Sequence, residues 1–281
     1  MITGTTKLLG VIGHPIAHSL SPVMHNAAIA HLRADFAYLP FPVAPESLRD
    51  AVQGFAAVRL SGFNVTIPHK QAIMPLLDKV SDLAISVGAV NTVWRTGNTW
   101  SGTNTDVAGF VAPLQPLNRD WDTALILGHG GAARAVVAGC VQLGCKTIHV
   151  LGRRPDALAK FERSWNLLNA DLVVHPWAAV PSLLPSCNLV VNATPLGMHP
   201  HTERSPLQAD WQFAPDSVAY DLIYNPSPTR FLQQAKAQGA LAIDGLEMLV
   251  QQGAVALELW LQQPAPVEVM RRSLQTGLGL R

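Results

Sequence analysis

Residues 124–134 read ALILGHGGAAR. A short apolar run stops at Gly128, and the pattern Gly128-x-Gly130-x-x-Ala133 opens an alanine-rich helical segment, Ala132–Cys140. Strand, glycine turn and helix in this order are what a dinucleotide-binding unit needs. Gly128 permits the tight turn, Gly130 lets backbone approach a diphosphate, and Ala133 is small enough for close helix–strand packing. The helix N-terminus adds partial positive charge there. Glycine turns also serve packing alone, so the surroundings decide the reading.

Working outward, strand-like runs recur at Ala124–Leu127, Thr147–Leu151, Leu172–His175, Leu189–Asn192, Val218–Leu222 and Leu241–Ile243. Six buried-type runs separated by crossovers predict an α/β domain with a doubly wound parallel sheet, whose strand C-termini gather on the ligand-binding edge. The second run ends in Gly152-Arg153-Arg154. An acid near this point would meet a ribose 2′-hydroxyl, whereas arginine offers a fork of donors to a 2′-phosphate. Two arginines and no acid favour NADP over NAD; a solvated basic turn is the alternative.

The first hundred residues alternate in the same way. Lys7–Gly13, Phe36–Val43 and Gly62–Ile67 are strand-like, and Ser21–Arg33 and Pro45–Phe55 are helix-like. A helix is expected to follow Ile67 through Val80. Val90–Trp94 and Thr99–Gly102 flank Thr96-Gly97-Asn98 as a hairpin. Pro113–Asp122 carries two prolines, so the second domain is expected to start close to Val107. From Gly245 onward the chain reads as mostly helical.

Of 281 residues, 48% are hydrophobic and 14% charged, against roughly 25% charged in an ordinary globular domain. That composition supports a large core. A net charge of +1 without a Lys/Arg cluster argues against nucleic acid or an anionic membrane as partner. No apolar run reaches the roughly 18 residues that span a bilayer. The N-terminal MITGTTKLLGVIG lacks a secretory h-region, so a cytoplasmic protein is expected. Cys140, Cys145 and Cys187 read as buried thiols in a reducing compartment.

Polar residues gather where packing does not ask for them. GFNVTIPHK, residues 62–70, places Asn64 and Thr66 on one strand face and Lys70 just beyond. His18-Ser19-Leu20-Ser21-Pro22 puts two hydroxyls at a helix start, where Ser21 is a natural N-cap and Ser19 is left over. Asn91-Thr92 opens the hairpin and Asn104-Thr105-Asp106 closes it. Singly, each is ordinary turn chemistry. Together they supply one lysine, one aspartate and several neutral hydrogen-bonding groups, which suits a small polyhydroxylated ligand. No His/Cys/carboxylate set has metal-ligand spacing; His14, His18, His25 and His31 read as core or surface residues.

With GHPIAHSLSP (13–22), GFNVTIPHK (62–70), GAVNTV (88–93), GTNTDVAGF (102–110), GHGGAAR (128–134), NATPLGM (192–198), YDLIYNPSPTRFL (220–232) and DGLEMLVQQGA (244–254), the chain closely resembles the shikimate dehydrogenase family. The resemblance implies a substrate-binding and catalytic domain, residues 1–106 with 246–281, and a Rossmann-type NADP domain, residues 107–245. The C-terminal helices would return to the first domain. It implies NADPH-dependent reduction of 3-dehydroshikimate to shikimate, by a monomer or homodimer. Ser19, Ser21 and Tyr224 would hold the substrate carboxylate. Thr66, Asn91 and Gln252 would meet the ring substituents, and Lys70 and Asp106 would flank the reacting oxygen. Gly128, His129, Gly130, Gly131 and Ala132 would lie along the diphosphate, Arg153 and Arg154 at the 2′-phosphate, and Gly245 toward the nicotinamide, with Leu222 a further cofactor contact. Asp82 matches a cofactor-contact position in some members. The chain departs from the pattern at His129, where alanine is usual, and at Gly152-Arg153-Arg154, where Asn-Arg-Thr is common. A quinate/shikimate dehydrogenase of looser choice, and a non-catalytic sensor that would need no Lys/Asp pair, are the alternatives.

Overall fold

A computed structural model of the chain describes residues 2–165 and 169–280. By contact density it divides into two units, Met1–Gly109 with Leu249–Arg281, and Phe110–Met248.

The first unit begins with strand β1 (Lys7–Gly13), helix α1 (Ser21–His31), β2 (Phe36–Pro42), α2 (Leu48–Ala57) and β3 (Gly62–Val65). It continues through β4 (Lys79–Val80), α3 (Asp82–Val87), β5 (Thr92–Thr96), β6 (Thr99–Thr103) and the start of α4 (Asp106–Val111). The strands form one sheet in the order β2-β1-β3-β5-β6-β4. Strand β1 runs parallel to β2 and β3, whereas β5 is antiparallel to both β3 and β6. The core behind it is apolar throughout, with Phe63, Leu60, Ile73 and Val93 fully buried. Burying side chains of this size contributes about 1.5–3 kcal/mol each.

The expected helix from Ile67 to Val80 does not form. Pro75 lacks an N–H and disfavours the helical conformation at Met74. The segment instead winds through three-residue turns, among them Leu76 N–H to Ile73 O and a short 3₁₀ stretch at Met74–Leu76. Lys79–Val80 then pairs in parallel with Ser101–Gly102 of β6.

The second unit holds β7 (Thr123–Leu127), α5 (Gly131–Gln142), β8 (Thr147–Gly152), α6 (Pro155–Arg163), β9 (Asp171–Pro176) and α7 (Val180–Leu183). After these come β10 (Leu189–Asn192), β11 (Val218–Asp221), α8 (Arg230–Ala237) and β12 (Leu241–Ile243). All six strands are parallel, in the order β12-β11-β10-β7-β8-β9. This is a doubly wound Rossmann-type sheet whose strand order reverses between β7 and β10. Ile126, Val150 and Val191 are fully buried on one face, and Leu125, Leu151 and Val190 on the other, so the strands read as unbroken apolar runs.

Helix α9 (Leu246–Leu261) begins in the second unit and ends in the first, and α10 (Val267–Gly277) belongs wholly to the first. Trp260 of α9 donates its indole N–H to Val93 O at 2.9 Å. A Cβ on Gly62 would lie 2.2 Å from that indole nitrogen, so only glycine fits beneath the ring. The chain thus crosses between units inside α4 and inside α9, where helical hydrogen bonding runs on past residues 106 and 245. No helix among the described residues is long and apolar enough to cross a membrane.

Candidate active site

Register explains why distant polar residues meet in the first unit. Asn64 of β3 pairs with Thr92 of β5, and Thr92 pairs with Thr103 of β6. Because β5 is antiparallel, its start lies beside the ends of β3 and β6. The segments after Val65, before Thr92 and after Thr103 therefore emerge at one sheet edge.

Lys70 and Asp106 meet at that edge. Lys70 Nζ donates to Asp106 Oδ2 at 2.6 Å, and the two side chains are 14% and 8% exposed. Asn91 Nδ2 donates to the other carboxylate oxygen at 2.8 Å. Asn91 Oδ1 in turn accepts the Thr105 N–H at 2.7 Å. Asp106 N–H donates to Asn104 Oδ1, whose amide donates to Ala89 O. Gln252 of α9 lies beside Asn91, with a long 3.5 Å contact from Asn91 Nδ2 to Gln252 Oε1. A buried polar group is retained only when its hydrogen bonds are made, and here they are.

The network continues inward. Tyr38 donates its hydroxyl to Asn64 Oδ1 at 2.6 Å, and Asn64 Nδ2 donates to Thr92 Oγ1 at 3.1 Å and to Asn91 O at 3.2 Å. Ser21 is not the N-cap expected of it. Leu20 takes that position without a side-chain cap, and Ser21 is the first helical residue, its side chain hydrogen-bonded with the Tyr38 hydroxyl. Ser19 Oγ accepts the Ser21 N–H at 3.3 Å, so the serine left over by sequence is the one that turns inward to the backbone. Thr66 is half-buried, and its methyl crowds the Cα of Gly13. His25 is fully buried, stacked on Tyr38 at 4.3 Å, and burial pushes its imidazole down to about 3. It is a neutral core ring.

In the second unit the glycine turn links β7 to α5. Gly128 has φ +109°, and a Cβ there would approach Ala193 O at 3.0 Å. Around Gly130 there is open space, and α5 starts with no side-chain cap and no acid in its first turn. The first-turn N–H groups of a helix have no partner within it, so a diphosphate fits this uncapped start. Gly152 ends β8 beside it, with Arg153 and Arg154 exposed and in no ion pair among the described residues. Gly245 lies against Leu222: its N–H donates to Ile223 O at 3.1 Å, and a Cβ would come 2.2 Å from Leu222 O. Tyr224 is half-buried on the loop after β11 in this second unit. Asp82 is exposed in the first turn of α3, in the first unit.

Comparison with known proteins decides the family. Residues 11–93 match the shikimate dehydrogenase substrate binding domain, and residues 245–275 the shikimate 5′-dehydrogenase C-terminal domain. The shikimate dehydrogenase (NADP(+)) of Trichormus variabilis is 58% identical over 288 residues, covering 100% of both chains. That of Crocosphaera subtropica is 57% identical over 284 residues, covering 99% of each. The crystal structure of shikimate 5-dehydrogenase from Thermus thermophilus, in complex with NADP(H) and shikimate, has a TM-score of 0.86 at 34% identity, covering 97% of this chain and 100% of that one. The chain belongs to the shikimate dehydrogenase family.

Two stretches by which the chain resembles shikimate dehydrogenases, 192–198 and 220–232, are tied together by Asp221. It is fully buried at the end of β11, accepts from Asn192 Nδ2 and Ile223 N–H at one oxygen, and from Thr229 Oγ1 at the other, at 2.6 Å. Burial outweighs these donors and pushes its carboxyl from 3.8 up to about 6. The folded chain thus holds this proton more tightly than the unfolded one. Its contribution is present below about pH 4 and is lost as pH rises through about 6, a loss of about 3 kcal/mol. We predict that Asp221→Asn, which keeps an acceptor for Asn192 and Ile223, flattens urea stability over this window. An unchanged slope in the variant would assign the pH dependence elsewhere.

Sequence alone does not point to the roles of Tyr38 and Gly152. Tyr38 sits among apolar neighbours in β2, and its hydroxyl gains meaning only beside Asn64. Gly152 reads as a plain strand end. Cys140, Cys145 and Cys187 are free and buried.

Proposed function

We propose that the chain catalyses the reversible, NADP-dependent reduction of 3-dehydroshikimate to shikimate, an oxidoreductase step of aromatic amino-acid biosynthesis. The observation that carries the mechanism is the Lys70–Asp106 ion pair, held at the sheet edge by Asn91. The bound nicotinamide supplies or accepts the hydride. Negative charge then develops on the carbonyl oxygen, and a positioned ammonium both stabilises it and delivers the proton. Lys70 takes that role. Asp106 anchors Lys70, and Asn91 anchors Asp106.

Asn91 directs its amide inward, so its part is chiefly to position Asp106. The long contact with Gln252 is the one a substrate hydroxyl would replace. Ser19 and Ser21 with Tyr224 bind the carboxylate, and Thr66 and Gln252 the ring hydroxyls. Gly128, Gly130, Gly131 and Ala132 line the diphosphate, Arg153 and Arg154 meet the 2′-phosphate, and Leu222, Gly245 and Asp82 complete the cofactor contacts.

The test is a grid of shikimate and quinate against NADP+ and NAD+, following reduced nicotinamide. Shikimate with NADP+ is expected to give the highest kcat/KM, by about tenfold or more over quinate, whose extra hydroxyl crowds the carboxylate site. Preference for quinate, or no turnover in any cell of the grid, would reject the reading.

A further inference from the structure

The two departures from the family pattern are in contact. A Cβ placed on Gly152 would lie 2.5 Å from His129 Nδ1 and 2.9 Å from its Cε1, closer than real Cβ contacts come. The imidazole is therefore seated on the Cα of Gly152, in space that any side chain at 152 would fill. Leu158 of α6 crowds the same point at 2.9 Å. The ring is half-buried at the end of β8, and Arg153 and Arg154 follow at once. Those two arginines are the charged groups that act on it, and no carboxylate among the described residues does. A cluster of two guanidiniums and one imidazole with no counter-charge is built to receive an anion.

We propose that His129 is a third ligand, beside Arg153 and Arg154, for a phosphate on the cofactor's ribose, and that it takes up a proton when that phosphate binds. This rests on the NADP reading above. In the free protein, burial and then the two arginines hold the imidazole below its ordinary value, so near neutral pH it carries no charge. A phosphate carrying nearly two negative charges reverses that balance. Gly152 is then the residue that makes room for His129, and the two substitutions act as one.

Calorimetric titration near pH 7, in two buffers of different ionisation enthalpy, reads the proton directly. Binding of NADP+ to the parent protein is expected to take up a fraction of a proton, and binding of NAD+ none. Arginine contacts alone would lower the phosphate's own pKa and release protons, the opposite sign. His129→Gln keeps the ring's bulk without its charge, and is expected to bind NADP+ without uptake and about five- to tenfold more weakly at pH 6.5. NADP+ binding by the parent without uptake, or equal uptake in His129→Gln, overturns the inference while leaving the NADP reading intact. Failure of the parent to favour NADP+ over NAD+ overturns both.

Discussion

Replacing Lys70 with alanine is expected to lower kcat by about 10²–10⁴-fold while the fold and nucleotide binding persist. In the proposed mechanism the ammonium would do two things that alanine cannot: donate the proton and balance charge on oxygen as the hydride arrives. Nucleotide binding is expected to survive because the residues proposed for it, the glycine turn and the arginines, belong to the other unit. The fold survives because Asp106 retains the Asn91 donor at 2.8 Å and lies at the edge of its sheet. Steady-state turnover with shikimate and NADP+, together with calorimetric NADP+ binding, checks both halves. Turnover near that of the parent would remove Lys70 from the chemistry.

Asp106→Asn is expected to cost both rate and stability, and the hydrogen bonds say why. Both carboxylate oxygens are acceptors, one from Lys70 and one from Asn91. An amide offers one acceptor and one donor, so one of the two contacts becomes donor against donor. The unmet group costs about 1–3 kcal/mol. If the amide faces Lys70, the ammonium loses its anchor. If it faces Asn91, the side chain keeps Lys70 but loses the donor that fixes its own position. Either way kcat is expected to fall by about 10²-fold or more, and the urea midpoint to fall with it. An Asp106→Asn protein as stable and as fast as the parent would show that the ion pair is incidental. The two variants also separate roles: Lys70→Ala loses more rate, Asp106→Asn more stability per unit of rate lost.

The second unit was legible because its central strands β7, β10 and β11 are short apolar runs buried on both faces, and every strand is closed by a turn. Leu189–Asn192 and Leu241–Ile243 are observed with the bounds their sequence suggests. The hairpin of β5 and β6 was legible from Thr96-Gly97-Asn98. The stretch before Val80 was not. Its apolar residues at 73, 74, 76 and 77 have helical spacing, but Pro75 denies the hydrogen bond that spacing assumes. Strand β4 is two residues long, too short for any period to show. At the site, the motifs singled out Lys70, Asn91 and Asp106, and β-sheet register brings them together. What sequence could not supply was the second layer. Tyr38 reaches Asn64 across 26 positions of chain, and His129 reaches Gly152 across a crossover. Such pairs leave no local pattern.

Helices α9 and α10 complete a sheet whose strands were made long before them. During synthesis from the N-terminus, the Trp260 ring over Gly62, the Gln252 neighbour of Asn91 and the close approach of Gly253 to Met24 all stay missing until residues beyond 248 have left the ribosome. The sheet of residues 123–243 has by then emerged entire. The part of the molecule translated first is thus the last to acquire its full core, and a nascent chain cut short near residue 248 would leave Gly62, Tyr38 and His25 without the Trp260 ring that packs on them.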